Sequence, residues 1–452
     1  MTGGSVRDCL LDKTPNDIDL VCSDSGIGSA EQTAKLLASA NNASFVPFLK
    51  KIDDPCFRVV SKDPELGYID ISPIRCNNII SDMNLRDFTI NSMAIKINSD
   101  GTMGDLIDPL NGAGDLEKGI IRISGTNALL SDPLRILRAF RFAAKLRFKI
   151  DLSTIELIKA NAEKLKKISS ERIIYELIEI FKNDNAAPFI RLMDQMKILE
   201  IIFPDIIPMK KCSQNGFHHL NVWDHSLLVL ENCEHIINHL EDYFDKEYAR
   251  IQEILNNNNC IPLLKIGSML HDIGKPKTKS ICKNTGRITF YKHQKIGGLM
   301  VNDIARGLRM PKKEQNFLNT LITEHMQVFA LSDPDVKTTT KMRWFRKIGD
   351  NVIPVIIQGM ADIMSTLGLE SSEECRKSFF KWALETINSY FKTIKPKLHE
   401  QNLITGKELI SLGMIPGPDM GKILTQIREA QDSGIINNHQ EAIKFLNNLF
   451  HT

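Results

Sequence analysis

The N-terminus contains the stretch that decides the fold: Gly3-Gly4-Ser5-Val6-Arg7-Asp8, followed by Asp17-Ile18-Asp19-Leu20-Val21. The glycine pair predicts a turn that opens a short helix, because glycine adopts backbone conformations that other residues avoid. Glycine turns and helix N-termini let backbone N–H groups approach a phosphate closely. The alternation of acidic and apolar residues predicts a β-strand that carries Asp17 and Asp19 on one face.

The paired acids indicate a cation site. Two carboxylates side by side repel each other, which costs free energy unless a cation neutralises them. Mg²⁺ prefers one or two carboxylates together with substrate phosphates. A later predicted strand, Tyr68-Ile69-Asp70-Ile71, adds a third acid. We therefore expect Asp17, Asp19 and Asp70 to be catalytic, with Asp17 and Asp19 holding Mg²⁺; for each acid alone, a solvated position on an edge strand stays open.

The amino-acid composition limits the classes of protein that fit this chain. A chain of 452 residues predicts two to four domains, and 42% hydrophobic with 25% charged residues is typical of soluble globular proteins. We find neither an apolar run of about 20 residues nor a signal-peptide pattern, so no membrane partner is expected. Nine cysteines without a CxxC pair indicate a reducing, cytoplasmic location. A net charge of only +2 means that any nucleic-acid contact depends on local basic surfaces.

A helix is predicted from Pro133 to about Arg147, because proline suits a first helical turn and Ser131 or Asp132 can cap it. Leu137, Phe140 and Ala144 form its apolar stripe. Asp132, Arg135 and Arg138 share another face at a spacing of three. From the residues alone, Asp132 is as well explained by an N-cap, and the arginines by a solvated face, as by a binding role.

Together these segments resemble a known family. Gly-Gly, Asp-x-Asp and a lone acid on a later strand resemble the polymerase-β-like nucleotidyltransferase head. Val6-Arg7-Asp8, Leu85-Arg86-Asp87-Phe88-Thr89 and Asp108-Pro109-Leu110-Asn111-Gly112 resemble motifs of the bacterial tRNA nucleotidyltransferase (CCA-adding enzyme) and poly(A) polymerase family. Leu85 stands where an arginine is usual, and Ser131 stands where the base-selecting motif usually has glutamate. Arg172-Ile173-Ile174-Tyr175-Glu176-Leu177 resembles the motif that closes the neck.

The resemblance implies an α+β fold and a function. It implies an α/β head followed by all-helical parts, and the addition of C, A or both from CTP and ATP to the 3′ end of tRNA with Mg²⁺. Asp132 and Arg135 would present hydrogen-bonding groups to the incoming base in place of a template. The nucleotide-binding residues that the resemblance implies are Gly3, Gly4, Arg7, Arg86, Asp87, Asn91, Asp132, Arg135, Arg138 and Arg141.

A second set of residues indicates another metal site. His271-Asp272 ends an apolar run, and an adjacent His nitrogen and Asp oxygen suit a divalent transition metal. The order His, His-Asp, His, His, Asp resembles the HD phosphohydrolase superfamily. It implies that His225, His271, Asp272 and Asp362 are metal ligands, with His293 and His325 as further residues of that site. Any one of these histidines taken alone is better explained as a core residue.

We predict four parts: a nucleotidyltransferase head at 1–120, a helical neck for base selection and RNA binding at 121–210, an HD phosphohydrolase domain at 211–368 and a helical tail with a possible tRNA contact at 369–452. In the family an apolar strand precedes Gly-Gly, whereas this chain begins at Met1-Thr2. We expect a sequence that starts too late. A head without that strand would have unpaired sheet hydrogen bonds and a poorly anchored glycine turn.

Several alternatives remain open on the sequence. A poly(A) polymerase would carry the same motifs, and so would an enzyme that adds only CC or only A. From another class, the chain is an HD phosphohydrolase of RNA or nucleotides with an inert head, or a pure RNA-binding protein. Oligomeric state and the metal of the HD domain are not determined by these patterns.

Overall fold

The computed structural model describes residues 1–15, 17–22, 27–48, 55–62, 67–76, 78–214, 219–366 and 372–450. The chain forms two compact units, Met1–Ile202 and Phe203–Thr452. The first contains a small sheet followed by helices, and the second is almost wholly helical. The predicted α+β class is therefore confirmed. The finer division into four parts stays a prediction.

The first unit begins with the predicted turn, helix and strand. Its four-stranded sheet has the order β1-β4-β3-β2, in which β1 and β4 are parallel and the other pairs antiparallel. Ala30, Ala34 and Ala38 of α2 are buried in one core cluster with residues of β3 and β4. The elements are α1 (Gly4–Leu10), β1 (Asp17–Cys22), α2 (Ile27–Ala40), β2 (Ser44–Phe48), β3 (Cys56–Val60) and β4 (Tyr68–Pro73).

Met1 and Thr2 join this sheet to a separate hairpin, β5 (Ala94–Ile97) and β6 (Met103–Ile107), which follows α3 (Ile79–Asn84). Thr2 pairs with Ala94 in an antiparallel bridge, and its N–H donates to Asp19 O at 2.8 Å. The Gly3 N–H donates to Met93 O at 3.0 Å. These backbone hydrogen bonds anchor the glycine turn to both of its neighbours.

The rest of the first unit is mainly helical. The predicted helix is confirmed as Arg135–Leu146, with Leu137, Phe140 and Ala144 buried, and Asp132 Oδ1 accepts from Leu134 N–H at 3.2 Å ahead of it. The elements are α4 (Gly112–Glu117), β7 (Ile120–Ile121), α5 (Ala128–Ser131), α6 (Arg135–Leu146), β8 (Lys149–Ile150), α7 (Leu152–Asn161), α8 (Ser170–Phe181), α9 (Ala186–Gln195) and α10 (Ile198–Ile202).

The second unit is built around the long helices α12, α15 and α21, which pack against one another. Nearly every residue of α15 is buried, as expected for a central helix. Up to α21 the elements are α11 (Ile207–Lys210), α12 (Val222–Asn238), α13 (Leu240–Phe244), α14 (Tyr248–Asn256), α15 (Cys260–Leu270), α16 (Lys275–Thr278), β9 (Ser280–Ile281), β10 (Ile288–Thr289), α17 (His293–Gly307), α18 (Lys312–Glu324), α19 (Gln327–Leu331), α20 (Thr338–Ile348) and α21 (Val352–Met364).

The C-terminal helices have a hydrophobic core of their own around Ile404, Leu409 and Ile427. Arg343 and Arg346 of α20 form ion pairs with Glu429 and Asp432 of this part. Its elements are α22 (Glu373–Ser389), a π-helical turn (Tyr390–Ile394), α23 (Lys395–His399), α24 (Gly406–Ser411), α25 (Pro418–Asp432) and α26 (His439–Phe450). Across the described ranges, no helix is both long and apolar enough to cross a membrane.

Candidate functional site

A cavity of about 570 Å³ in the first unit is formed by the glycine turn, β1, α6 and α8. Nine arginine and lysine side chains line it against five carboxylates, so it suits a polyanion such as a triphosphate. The structure brings Asp17, Asp19 and all ten predicted nucleotide-binding residues to this cavity. Its lining residues are Gly3, Gly4, Arg7, Asp17, Asp19, Arg75, Arg86, Asp87, Asn91, Asp132, Arg135, Arg138, Arg141, Phe142, Lys145, Arg172, Glu179, Lys182 and Asn183.

The glycine turn is held tightly against its neighbours. Gly3 has φ of 67°, in the left-handed region that favours glycine. A Cβ atom on Gly3 would lie 2.6 Å from Arg86 Nη1 and 3.3 Å from Asp19 Oδ2. Ser5 Oγ accepts from Asp19 N–H at 2.7 Å and donates to Asp17 O at 3.1 Å. The turn therefore places the Arg86 guanidinium beside the acids of β1.

Asp17 and Asp19 fit a hard cation such as Mg²⁺. Burial, together with repulsion from Asp17, raises the pKa of Asp19 to about 6. This shift measures the cost of a second negative charge in a partly buried site, and a bound cation would offset that cost. Both carboxylates face a cavity in which substrate phosphates would supply further oxygen ligands.

Asp70 lies opposite Asp19 in the parallel register of β1 and β4. Both of its oxygens accept from Arg58, from Nε and Nη2, at 2.7 Å each. This bidentate pair is a strong charge-assisted contact, and Asp70 does not line the cavity. Arg58 was not anticipated from the sequence, because its partner is chosen by the antiparallel register of β3 and β4.

A polar network connects the glycine-turn helix to α6. Arg7 Nη1 donates to Asn91 Oδ1 at 2.8 Å, and Asn91 Nδ2 donates to Asp87 Oδ1 at 3.0 Å. Arg138 Nε donates to Asp87 Oδ2 at 2.9 Å. Although burial raises it, the pKa of Asp87 is held below its usual value, chiefly by Arg138. Asp87 therefore remains charged and orients two cavity residues.

The predicted base-selecting pair has other partners here. Asp132 Oδ2 lies 2.7 Å from Arg172 Nη2. Arg135 Nη2 donates to Leu85 O at 2.9 Å, and its Nη1 donates to Arg86 O at 3.3 Å. Both side chains line the cavity at the start of α6. A carboxylate has further lone pairs and a guanidinium has five N–H groups, so both side chains can also meet a base edge there.

Sequence reasoning missed seven cavity residues: Arg75, Phe142, Lys145, Arg172, Glu179, Lys182 and Asn183. For most of them the sequence contains a helical spacing that could have identified them. Arg138, Phe142 and Lys145 repeat at spacings of four and three on α6, and Arg172, Glu179 and Asn183 follow the same face of α8 and its end. The guanidinium of Arg141 lies 4.8 Å from the Phe142 ring centroid, which is cation–π distance.

The second unit brings all six residues of the predicted HD site together. His225, His271 and Asp362 form one group of ligand atoms, each within 4.8 Å of the others, and Asp272, His293 and His325 form another. All six residues are buried. His225 Nε2 lies 3.0 Å from Asp362 Oδ1, and His293 Nε2 lies 3.3 Å from Asp272 Oδ1. The helices α12, α15, α17, α18 and α21 carry or immediately precede these residues.

Three of the histidines are held by backbone carbonyls so that their Nε2 atoms face the cluster. The Nδ1 atoms of His271, His293 and His325 face the carbonyl oxygens of Ser268, Phe290 and Ile322 at 2.8, 2.9 and 2.7 Å. A carbonyl only accepts, so each Nδ1 donates its proton to the carbonyl and each Nε2 faces the cluster. The Nε2 atoms of His293 and His325 lie 3.1 Å apart within this cluster. Burial lowers the pKa of His325 to about 3, which keeps it neutral.

Lys275 is a further residue of this centre that sequence reasoning missed. Its Nζ lies 2.6 Å from Asp272 Oδ2 and donates to Gln214 Oε1 at 2.7 Å. Although burial raises it, the pKa of Asp272 is held well below its usual value by His271 and Lys275. The signal was its place in His271-Asp272-Ile273-Gly274-Lys275, one helical turn after the doublet.

Comparisons with known proteins agree with this geometry. Residues 1–122 match the poly A polymerase head domain, and residues 147–210 match the probable RNA and SrmB-binding site of polymerase A. An A-adding tRNA nucleotidyltransferase of Deinococcus radiodurans is 26% identical over 452 residues, covering 99% of this chain and 94% of that protein. A CC-adding tRNA nucleotidyltransferase of Geobacter sulfurreducens is 39% identical over 201 residues, 44% of each chain.

The fold is shared with a solved structure as well. The Thermotoga maritima CCA-adding enzyme complexed with tRNA superposes with a TM-score of 0.63 at 22% identity, covering 99% of this chain and 90% of that one. The motifs around the cavity and these matches point to the same group of proteins. Residues 1–122 therefore carry the poly A polymerase head domain, and the chain is similar over almost its whole length to a tRNA nucleotidyltransferase.

Proposed function

We propose that the first unit is a template-independent nucleotidyltransferase that adds C, A or both from CTP and ATP to the 3′ end of tRNA. The observation that carries this proposal is the single cavity that unites Asp17 and Asp19, a cluster of cations, and Asp132 with Arg135. The named relatives that add CC or A to tRNA support the same substrates.

In the reaction the 3′ oxygen of the RNA attacks the α-phosphorus of the nucleotide, the bond to the β-phosphate breaks, and pyrophosphate leaves while the hydroxyl proton passes to solvent. Arg7, Arg86 and the N–H groups after Gly3 bind the triphosphate and offset its charge. Asp17 and Asp19 would hold Mg²⁺, which would supply charge neutralisation at the phosphates and lower the pKa of the attacking hydroxyl. Asp70 would join that role only after releasing Arg58.

Asp132 and Arg135 provide the groups for base selection. C and A share an amino donor beside a ring-nitrogen acceptor on their pairing edges, whereas G and U show the reverse order. A carboxylate beside a guanidinium matches the first pattern and leaves unpaired groups against the second. Each unsatisfied buried group costs about 1–3 kcal/mol, which is enough for selection.

The test is incubation of the purified chain with tRNA lacking its last three nucleotides, Mg²⁺, and each labelled nucleoside triphosphate alone and combined. Addition of C, of A or of both in order, lost in Asp17→Ala, supports the proposal. A long A tail on unrelated RNA would instead establish the poly(A) polymerase alternative. Lack of incorporation of any nucleotide would contradict it and favour a chain that acts only through its second unit.

A second activity is supported by the buried histidine and aspartate cluster of the second unit. We propose that it hydrolyses a phosphate ester: a water oxygen attacks phosphorus, the ester P–O bond breaks, and the leaving oxygen takes a proton. A divalent transition metal held by His225, His271, Asp272 and Asp362 would polarise the phosphate and acidify water. His293 and His325 complete the ligand set, and the Lys275 ammonium near Asp272 can bind a phosphate oxygen.

Separate substitutions distinguish the two activities. His271→Ala and Asp272→Ala are expected to abolish hydrolysis of bis(p-nitrophenyl) phosphate while nucleotide addition continues. Asp17→Ala is expected to do the opposite. If the wild-type chain hydrolyses no phosphate ester with Mn²⁺, Co²⁺, Ni²⁺ or Zn²⁺, the second activity is refuted and the cluster is structural.

A further inference from the structure

The segment that joins the two halves of the histidine cluster is strongly basic. From Ile273 to Asn302 the chain contains seven lysines and arginines and no aspartate or glutamate. The whole chain is nearly balanced, with 57 basic and 55 acidic residues. An acid-free run of this length is therefore a local feature, and it begins directly after His271-Asp272 and includes His293.

The centre of this segment is a small hairpin that projects its charges. Strands β9 and β10 pair antiparallel, and Cys282 N–H donates to Arg287 O at 2.9 Å across the turn. Lys283 and Arg287 at the tip are exposed, as is Lys292 at the base. Tyr291 is 79% exposed, so its ring contributes little to the core. The hairpin therefore presents cations and one aromatic ring to solvent.

The base of the hairpin contacts the histidine cluster. Phe290 O accepts from the Nδ1 of His293 at 2.9 Å. The Lys275 ammonium lies 5.5 Å from the Phe290 ring centroid and 2.6 Å from Asp272 Oδ2. Residues that touch the buried centre are thus one position away from the exposed Tyr291. The hairpin and the histidine cluster are therefore directly adjacent.

Cations spaced along an exposed arm beside an unburied aromatic ring suit one class of ligand. Single-stranded nucleic acid offers regularly spaced phosphates for lysine and arginine and a base for stacking on an aromatic ring. The exposed cations Lys283, Arg287 and Lys292 are spread over residues 283–292, a spacing that suits several phosphates rather than one. The chemistry therefore favours a chain of several nucleotides over a small phosphate ester.

We propose that the hairpin, residues 280–292, binds single-stranded RNA and directs its phosphorylated end into the histidine cluster. Phosphates lie along Lys283, Arg287 and Lys292, and the base next to the reacting end stacks on Tyr291. The assignment of RNA ends as substrate rests on the hydrolase activity proposed above, whereas the binding surface does not require turnover.

Cys282 gives a readout that is independent of activity. Its thiol is exposed within the hairpin, and Cys375 offers an exposed thiol on α22 for comparison. The full chain is alkylated with iodoacetamide with and without a single-stranded oligoribonucleotide that ends in a 3′-phosphate, and each cysteine is followed by mass spectrometry. We expect the RNA to slow alkylation of Cys282 at least fivefold and to leave Cys375 unchanged. Lys283→Ala/Arg287→Ala should abolish that protection.

Kinetics on two substrates test the link to the centre. Lys283→Ala/Arg287→Ala should raise KM for the 3′-phosphorylated oligoribonucleotide about tenfold, with little change in turnover of bis(p-nitrophenyl) phosphate. The affinity of this double variant for the oligoribonucleotide should also depend less on salt. The slope of log affinity against log salt concentration should weaken by about 1.4, roughly 0.7 for each lost phosphate contact. Tyr291→Ala should raise KM by a similar factor without changing the salt slope.

The matched control is Lys312→Ala/Lys313→Ala, two exposed lysines at the start of α18. A length of roughly 18 Å of α18 separates them from His325, so the KM and the salt slope should both stay as in the wild type. Hydrolysis of both substrates with no change in KM and no protection of Cys282 would overturn the proposal while leaving the hydrolase intact. Protection of Cys282 in a chain that hydrolyses nothing would refute the hydrolase and leave the RNA surface standing.

Discussion

The guanidinium of Arg172 on α8 holds the carboxylate of Asp132, which precedes α6, with Nη2 and Oδ2 2.7 Å apart. The other oxygen of Asp132 accepts from the Leu134 N–H at 3.2 Å. Both oxygens of the proposed base-reading carboxylate therefore have defined partners before a nucleotide binds. Arg172 is a positioning residue in this arrangement, because it acts through Asp132.

Arg172→Ala should weaken discrimination among nucleotides more than it slows catalysis. Without its partner the Asp132 carboxylate samples other rotamers, so the preference for CTP and ATP over GTP and UTP should fall about tenfold, within the range for one lost charge-assisted hydrogen bond. Single-turnover incorporation of each nucleotide measures this preference. Arg147→Ala, which removes an exposed ion pair with Asp184 elsewhere in the unit, serves as control. An unchanged preference in Arg172→Ala would contradict the positioning role.

Gly3→Ala should abolish nucleotide addition while the second unit remains active. The added Cβ would lie 2.6 Å from Arg86 Nη1, and a φ of 67° is unfavourable for alanine, at a cost of order 1–3 kcal/mol. We expect a loss of at least about a hundredfold in incorporation rate, because Arg86 must move from the acids of β1. Gly125→Ala meets nothing within 4 Å and should retain wild-type rates. Activity of Gly3→Ala within threefold of wild type would show that the close approach is dispensable.

Removal of metal should destabilise the second unit. Six buried histidine and aspartate side chains share one cluster, and a ligand that binds only the folded state adds RT ln(1 + [L]/Kd) to its stability. Dialysis against a chelator should therefore lower Tm by several degrees, measured by scanning calorimetry together with elemental analysis for bound metal. Asp17→Ala should retain this metal and its response, whereas Asp272→Ala should lose both. Equal metal content in Asp272→Ala and wild type would exclude the cluster as the binding site.

Thiol reactivity should differ sharply within the second unit. Burial raises the pKa of the Cys233 and Cys260 thiols to about 12, so neither forms appreciable thiolate at pH 8. Hydrogen bonding, chiefly with the Thr285 side chain, lowers the pKa of the exposed Cys282 thiol. Iodoacetamide at pH 7 should thus modify Cys282 first and leave Cys233 and Cys260 intact until the chain unfolds. The alkylation rate at Cys282 should fall as the pH drops below the pKa of its thiol. Early modification of Cys233 would contradict the burial of that thiol.

Several helices, strands and turns were predicted from sequence patterns that span only a few residues. Alternation identified β1 and β4, glycine identified the turn before α1, and proline with its capping residues identified α6. These features depend on neighbours within a few positions, so they can be recognised without knowing the fold. The resemblance of these segments to a known family placed ten nucleotide-binding candidates, and the structure brings all of them to one cavity. Their individual roles stay predictions.

Partner choice could not be predicted from local patterns. Asp70 was predicted as a third catalytic acid, and the register between β3 and β4, which local patterns do not reveal, sets Arg58 opposite it with both oxygens engaged. Likewise, the hydrogen bonds by which Met1 and Thr2 bridge β1 and β5 were not predicted from the sequence. Each outcome depends on which strands become neighbours, a property of the whole sheet.

The sequence by itself determined the elements and the chemistry available: a glycine turn before paired acids, an amphipathic α6, and the order of histidines and aspartates in the second unit. Only the tertiary structure decided which side chains meet. Arg172 reaches Asp132 across 40 positions, and His225 reaches Asp362 because α12 and α21 pack side by side. The physical reason is that helices and strands form from short-range backbone preferences, whereas a charged or ligating side chain takes its partner from whatever the packed core brings within about 3 Å.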